Sequence, residues 1–355
     1  MNPLPALMAA AQGRPREHGG PDAAGVPAHD FSTNSNACGP CPSAWRAVLS
    51  ADVTRYPDAH YQHLRGCLAQ HHGVDPARVV LAGSASEFIF RFTAWRARHG
   101  GAAVEVPRHA YGDYAQAAQA WGLPLQSYAD GAEPTDDADP KLPRLRWACD
   151  PGSPLGQGVA ATVFDGATWG VLDRAYHPLR LSGHCALSAA TLDQVWQLFS
   201  PNKSLGLTGV RGAYALAPAG AEEAVHALAD LCPSWPLGAQ GVALLQAWCE
   251  PEAARWLQQA RATLADWKAR QQALFTSLGW RVLPSQANYF CVAVPPAWQH
   301  ALPAWRREGL KLRDARSFGL PGHWRLGVLP PASQAVLQAA LHQGPPPALP
   351  SEWTP

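Results

Sequence analysis

SPNKSLGLTGVRGAY, residues 200–214, sets Ser200 three positions before Lys203 and Arg211 eight positions after it, with Gly206 and Gly209 in between. Lysine is scarce in this chain. Only Lys141, Lys203, Lys268 and Lys311 occur among 355 residues, so arginine carries most of the positive charge. Any one lysine is most often a solvated surface group. A lysine embedded in serine, asparagine and glycine invites a chemical role instead. Leu192 to Phe199 reads as a helix or strand flank leading into the stretch, and Val210 to Leu216 as an apolar strand leading out of it.

Moving outward, short apolar strands alternate with helical segments over residues 75–235. Strands are expected at 78–82, 103–106 and 145–149, with further short apolar runs at 161–164 and 170–172. Helices are expected at 43–50, with Ser43 as N-cap, and at 61–72, 87–98 and 115–121. Such alternation predicts a mainly parallel sheet covered on both faces, with ligands beyond the carboxyl ends of the strands. After Pro233-Ser234-Trp235-Pro236 the character changes. A long helical region spans 240–272, broken near Glu250-Pro251. Strands follow at 280–283, 288–294 and 323–328, and a helix closes at 332–342. This predicts a smaller α+β unit.

Composition narrows the class. The apolar fraction is 47% and the charged fraction 15%, values of a chain that folds around a core. A net charge of +1 gives no basic face for nucleic acid or a membrane surface. The start, MNPLPALMAAAQGRPREHGG, lacks a basic residue before its apolar stretch and makes a poor signal peptide. No apolar run reaches spanning length. A cytoplasmic protein is expected. The eight cysteines form no framework. Cys38 and Cys41 make a lone C-x-x-C with no second pair, so free thiols and no metal site are expected.

The 200–214 stretch resembles the S-x-x-K-x-x-G-L-x-G-x-R-x-G-[YF] signature of fold-type I pyridoxal-phosphate (PLP) enzymes, in the class I/II aminotransferase family. Ala213 stands where the last glycine is usual. The likeness is strongest to threonine-phosphate decarboxylases of cobalamin biosynthesis and to histidinol-phosphate aminotransferases. It implies the aspartate aminotransferase-like α/β fold, with a seven-stranded, mainly parallel sheet between helices and a smaller α+β domain. The implied divisions are an arm and part of the small domain at 1–45, the cofactor domain at 46–236, the small domain at 237–343 and a loose Pro-rich tail at 344–355. Lys203 would be the lysine that forms an imine with the cofactor aldehyde. Arg211 and Ser200 would offer a charged fork and a hydroxyl to its phosphate.

Other segments resemble the family in the same order. Gly83-Ser84-Ala85-Ser86-Glu87 follows a strand and opens a helix, where free N–H groups suit a phosphate; the resemblance gives that task to Ser84, Ala85 and Ser86. It implies a ring-stacking role for Tyr111, with Tyr114 as the alternate. Val171-Leu172-Asp173-Arg174-Ala175-Tyr176 resembles V-D-E-A-Y. Asp173 would pair with the protonated pyridine nitrogen, and Tyr176 would reach the ring hydroxyl. Arg55-Tyr56-Pro57-Asp58 resembles R-Y-P-D, which implies that Tyr56 serves the phosphate of a neighbouring subunit in a homodimer with shared sites. Arg325 resembles the arginine that takes the substrate α-carboxylate, and Arg313 falls where members with phosphate substrates carry a basic residue. His18-Gly19-Gly20 and Asp30-Phe31-Ser32-Thr33-Asn34-Ser35-Asn36 resemble elements of threonine-phosphate decarboxylases, implying substrate contacts from His18 and Asn34.

The chain also departs from the pattern. N-P-N-N-P-T-G becomes DPGSPLG at 150–156, so Ser153 stands where asparagine usually meets the ring hydroxyl. Ala37 replaces a proline, Asn202 a serine and Arg174 a glutamate. The resemblance implies decarboxylation of L-threonine O-3-phosphate to an amino-alcohol phosphate. The alternatives are an aminotransferase of histidinol-phosphate type and a non-catalytic homologue. The expected partner is a small amino acid or amino-phosphate, with no nucleic acid and no membrane. A hydrolase is disfavoured: His71-His72 point to different helix faces, and no H-E-x-x-H occurs.

Overall fold

The computed structural model describes residues 18–129 and 142–347. Lys141, most of the N-terminal arm and the end of the Pro-rich tail lie outside them. In chain order the strands are β1 (His29–Asp30), β2 (Val79–Ala82), β3 (Ala103–Pro107), β4 (Leu125–Tyr128), β5 (Arg144–Cys149), β6 (Trp169–Asp173), β7 (Trp196–Phe199), β8 (Ala213–Leu216), β9 (Tyr289–Ala293), β10 (Leu310–Lys311), β11 (Arg313–Asp314) and β12 (His323–Gly327). Seven join in one sheet of order β2-β8-β7-β6-β5-β3-β4. β8 runs antiparallel to both neighbours, and the remaining pairs are parallel. The expected mainly parallel α/β sheet is therefore present, and its order reverses between β3 and β5. β9, β11 and β12 form an antiparallel three-stranded sheet, and β1 pairs with β10.

The central strands are mostly apolar because both faces are covered. β2, β7 and β8 are buried at every position. The helix Ala85–Arg98 packs Phe88, Ile89, Phe92 and Trp95 into a cluster with Trp147 of β5 and Trp196 of β7. Burying one such aromatic is worth about 1.5–3 kcal/mol. A second cluster, rich in tryptophan (Trp280, Trp298, Trp305 and Trp324), fills the space behind the three-stranded sheet.

Several expectations need correction. Ser43 is not an N-cap: Pro42 already occupies the first helical position of Pro42–Leu49, and Cys41 precedes it in extended conformation. Proline suits that first position because its missing N–H is not needed there. The short apolar run at 161–164 forms a turn. Phe164 lies over β6 at Gly170, where a Cβ would come within 2.5 Å of its ring. The 280–283 run makes only one bridge, Val282 to Val292, before the chain leaves at Pro284. The long helical region does break at Pro251, into Ala239–Cys249 and Pro251–Ser277.

Candidate active site

The parallel strands β5, β6 and β7 end at Cys149, Asp173 and Phe199, and the chain beyond these ends surrounds a cavity of about 500 Å³. Lys203, Asp173, Tyr176, Ser84, Ala85, Ser86, Tyr111, Ser153, Ser200, Arg211, Arg325, Arg313, His18 and Asn34 all line it. Residues from both ends of the sequence thus converge on one space.

Lys203 sits in a tightly fixed loop. The Asn202 side chain accepts from the Ser200 hydroxyl at 3.0 Å and donates to the carbonyls of Thr208 and Val210. The Lys203 carbonyl accepts from the Asn36 N–H at 2.9 Å, and the Asn36 amide donates to the Ser204 carbonyl. Gly206 has φ +69°, and a Cβ there would lie 2.5 Å from the Gly39 carbonyl oxygen. Only glycine meets both demands.

Asp173, at the end of β6, is 5% exposed. Burial pushes its carboxyl above the ordinary value, against hydrogen bonds from the Tyr114 hydroxyl (2.7 Å) and the Ala175 N–H (2.9 Å) and the nearby charge of Lys203. Tyr114 is fully buried and its ring stacks on Trp147, centroids 5.1 Å apart. Tyr111 also lines the cavity and, unlike Tyr114, is only partly buried. The Tyr111 hydroxyl is 3.0 Å from that of Ser86, and burial raises its pKa. The Tyr176 ring lies 5.5 Å from the Lys203 ammonium.

Ser84 caps the helix Ala85–Arg98. Its hydroxyl accepts from the Glu87 N–H, while Glu87 accepts from the Gly83 N–H. This reciprocal cap holds the helix start, whose first-turn N–H groups have no carbonyl a turn earlier to bind. On the opposite wall, the Arg325 guanidinium donates to the Ser153 hydroxyl (3.1 Å) and the Ser32 carbonyl (2.7 Å). Gly19 packs so close to that carbonyl that a Cβ would lie 2.2 Å from it. Asn34 is buried with neither end of its amide hydrogen-bonded among the described residues. An unpaired buried amide beside an enclosed space is the mark of a ligand site.

Tyr56 lies apart. It is 78% exposed, stacks on Trp235 at 4.5 Å, and faces a separate groove that also touches Arg211. Arg174 stands where the family pattern has a glutamate. It donates to Gln197 (2.6 Å) and to His177 Nε2 (2.7 Å). His177 Nδ1 lies 3.8 Å from Asp150, which is bonded to Arg180 at 2.5 Å. Burial works to raise the Asp150 carboxyl, but His177 and Arg180 outweigh it and hold it well below the usual range. Arg180 also donates to Gln286, whose backbone N–H meets the Gly156 carbonyl. Sequence reading missed this ladder, and also missed Phe318 and Ser317 in the cavity wall. Asn202, beside the lysine, was the one missed contact with a visible signal.

The donor set fits PLP: an amine for its aldehyde, hydroxyls, a guanidinium and a helix start for its phosphate, and a buried carboxylate for its ring nitrogen. Among the described residues no group of three metal-ligating side chains comes together.

Comparison with known proteins agrees. The family model described as aminotransferase class I and II matches residues 27–150 and 168–343. A histidinol-phosphate aminotransferase of Symbiobacterium thermophilum is 27% identical, over 89% of this chain and 92% of its own. The histidinol-phosphate aminotransferase of Sinorhizobium meliloti, solved in complex with pyridoxal-5'-phosphate, superposes with TM-score 0.76 at 22% identity, covering 94% and 95% of the two chains. The L-threonine-O-3-phosphate decarboxylase of Porphyromonas gingivalis superposes with TM-score 0.72 at 18% identity, covering 88% and 98%.

Proposed function

Since the chain belongs to the aminotransferase class I and II family, whose members use PLP, we propose that it is a PLP enzyme that removes CO2 from an amino acid O-phosphate, of the threonine-phosphate type, in the manner of the cobalamin-pathway decarboxylases. The observation that carries this reading is the N-terminal segment. His18 lines the cavity, the Gly20 N–H donates to the Ser32 hydroxyl at 2.9 Å, and Gly19 lies against the carbonyl that Arg325 holds. The segment that resembles the decarboxylases thus lines the cavity, which supports this reading.

When bound, the cofactor supplies an electron sink for the bond broken at the substrate α-carbon. Lys203 would hold it, and afterwards its amine delivers a proton to the α-carbon. Asp173 would keep the proton on the ring nitrogen, and Tyr114 fixes the orientation of that carboxylate. Ser84, Ala85, Ser86, Ser200 and Arg211 would hold the phosphate, with Tyr56 of a second subunit completing a shared site. Tyr176 and Ser153 would serve the ring hydroxyl. Arg325 and Arg313, with Asn34 and His18, would orient the two anionic ends of the substrate, and that orientation decides which α-carbon bond breaks.

Holoenzyme incubated with O-phospho-L-threonine and no amino acceptor should release CO2 in step with amino-alcohol phosphate. A second reading, transamination of histidinol-phosphate type, is favoured by the names of the curated relatives. Glutamate formation from histidinol phosphate and 2-oxoglutarate, without CO2 release from phosphothreonine, would establish it and overturn the first.

A further inference from the structure

Residues 18–25 reach the cavity at one end and are tied down at the other. His18 lines the cavity, and its ring lies 6.4 Å from that of Tyr111. Four residues on, Asp22 and Gly25 exchange backbone hydrogen bonds in a tight loop (2.8 and 3.2 Å).

Two cations grip this loop through one carboxylate. The Arg306 guanidinium donates to both oxygens of Asp22, at 2.7 and 2.9 Å, and to the Gly25 carbonyl at 2.7 Å. The Lys311 ammonium donates to Asp22 at 2.8 Å and to the Gly20 carbonyl at 2.6 Å. Arg306 first, and then Lys311, hold the Asp22 carboxyl well below the usual carboxylate range, so it stays charged at any ordinary pH. A lone exposed ion pair adds little, but a two-pronged arginine bond joined to a second cation is the stronger exception. Both cations are largely shielded, with side chains 16% and 14% exposed.

The anchors belong to the same part of the fold as the cavity wall. Lys311 ends β10, two residues before Arg313, which lines the cavity. Gly20 is held from both sides: its carbonyl by Lys311, and its N–H by the hydroxyl of Ser32, whose carbonyl Arg325 takes. Only Gly19 separates this fixed point from His18.

We infer that Asp22 is a positioning residue for substrate binding. Through Arg306 and Lys311 it fastens residues 18–25 to the part of the fold that carries Arg313, and so sets His18 beside Tyr111, where the anionic end of the substrate enters. This inference rests on the amino acid O-phosphate reading above. A loop that merely covers the surface would alter stability and leave binding untouched.

The test compares wild-type holoenzyme with Asp22→Asn, which removes the charge, and Asp22→Glu, which restores it. Amide hydrogen exchange read by mass spectrometry should quicken at residues 18–25 in Asp22→Asn, with the visible absorbance unchanged. Titration of that absorbance with O-phospho-L-threonine should show binding weakened about fivefold in Asp22→Asn. KM should rise with kcat little changed, and Asp22→Glu should recover most of the loss. Unchanged exchange, unchanged binding, a fall in kcat alone or no recovery in Asp22→Glu would overturn the inference. If wild type itself ignores phosphothreonine, the substrate reading fails instead. Inorganic phosphate, followed by tryptophan fluorescence in the same three holoenzymes, then decides the inference. Weaker binding in Asp22→Asn with recovery in Asp22→Glu supports it, and equal binding in all three, or none in any, overturns it.

Discussion

The hydroxyl of Tyr114 donates a 2.7 Å hydrogen bond to the carboxylate of Asp173, and both side chains are buried. A bond to a buried charge is worth about 1.5–3 kcal/mol. Tyr114→Phe keeps the stack on Trp147 but removes the donor. The Asp173 carboxyl, already raised by burial, rises further, and its hold on a ring proton weakens. Turnover should fall by about tenfold, with the acid limb of the kcat–pH profile moved to higher pH. An unchanged profile would show that Tyr114 serves packing alone.

Lys203→Ala should lose the visible absorbance of the holoenzyme and turnover by on the order of 10³-fold or more. Difference spectra after PLP addition and dialysis read the first, and product assay the second. A variant that keeps its colour would remove Lys203 from the chemistry.

His72 lies behind the lysine loop. Trp248 donates its indole N–H to the Tyr214 hydroxyl (3.0 Å), which donates in turn to His72 Nε2 (2.8 Å). Burial, with the charges of His71 and Arg174, pushes His72 from an ordinary 6.5 down to about 3. The unfolded chain therefore takes this proton first. The contribution to stability is complete above about pH 6.5 and is lost as pH falls toward 3. His72→Gln keeps an acceptor for Tyr214 and should flatten the fall in urea stability between about pH 7.5 and about pH 5. The same slope in the variant would rule out His72 as its source.

Arg180→Met leaves the Asp150 carboxylate buried without its main partner. The cost should be about 3–5 kcal/mol in urea unfolding. Adding Asp150→Asn should recover much of it, because the uncompensated charge is then gone. A double variant as unstable as the single one would place the loss in packing of the arginine stem.

Gly206→Ala combines left-handed backbone with a 2.5 Å approach to Gly39. Left-handed backbone alone costs about 1–2 kcal/mol for a residue with a Cβ. The variant should unfold earlier and retain less cofactor through gel filtration, read as the ratio of visible to ultraviolet absorbance. Full retention would show that the loop tolerates displacement from Gly39.

What sequence reading caught and missed follows from what each contact requires. Ser200, Lys203 and Arg211 act through chemistry that few other residues supply, at a spacing fixed by one loop, so they stand out locally. The ladder from Gln197 through Arg174, His177 and Asp150 to Arg180 and Gln286 is built from ordinary surface-type residues. Its members meet only once β5, β6, β7 and the 285–287 loop are packed, so no local pattern announces them. Phe318 is similar: an apolar residue gains its place in the cavity wall only from the packing of β11 on β12. β4 escaped notice because LQSY is only partly buried at the sheet edge and lacks the apolar run of a central strand.

The hydrogen bond from Asn36 to Ser204 joins residues 168 positions apart, and β2 can pair with β8 only across a comparable interval. Such distant closures make folding slow. On the ribosome, Asn34 to Asn36 emerge long before the lysine loop they hold, so the N-terminal segment must wait without its partner through most of synthesis. The site is thus among the last parts of the chain to take shape, and a nascent chain stalled before residue 204 has no lysine loop to close.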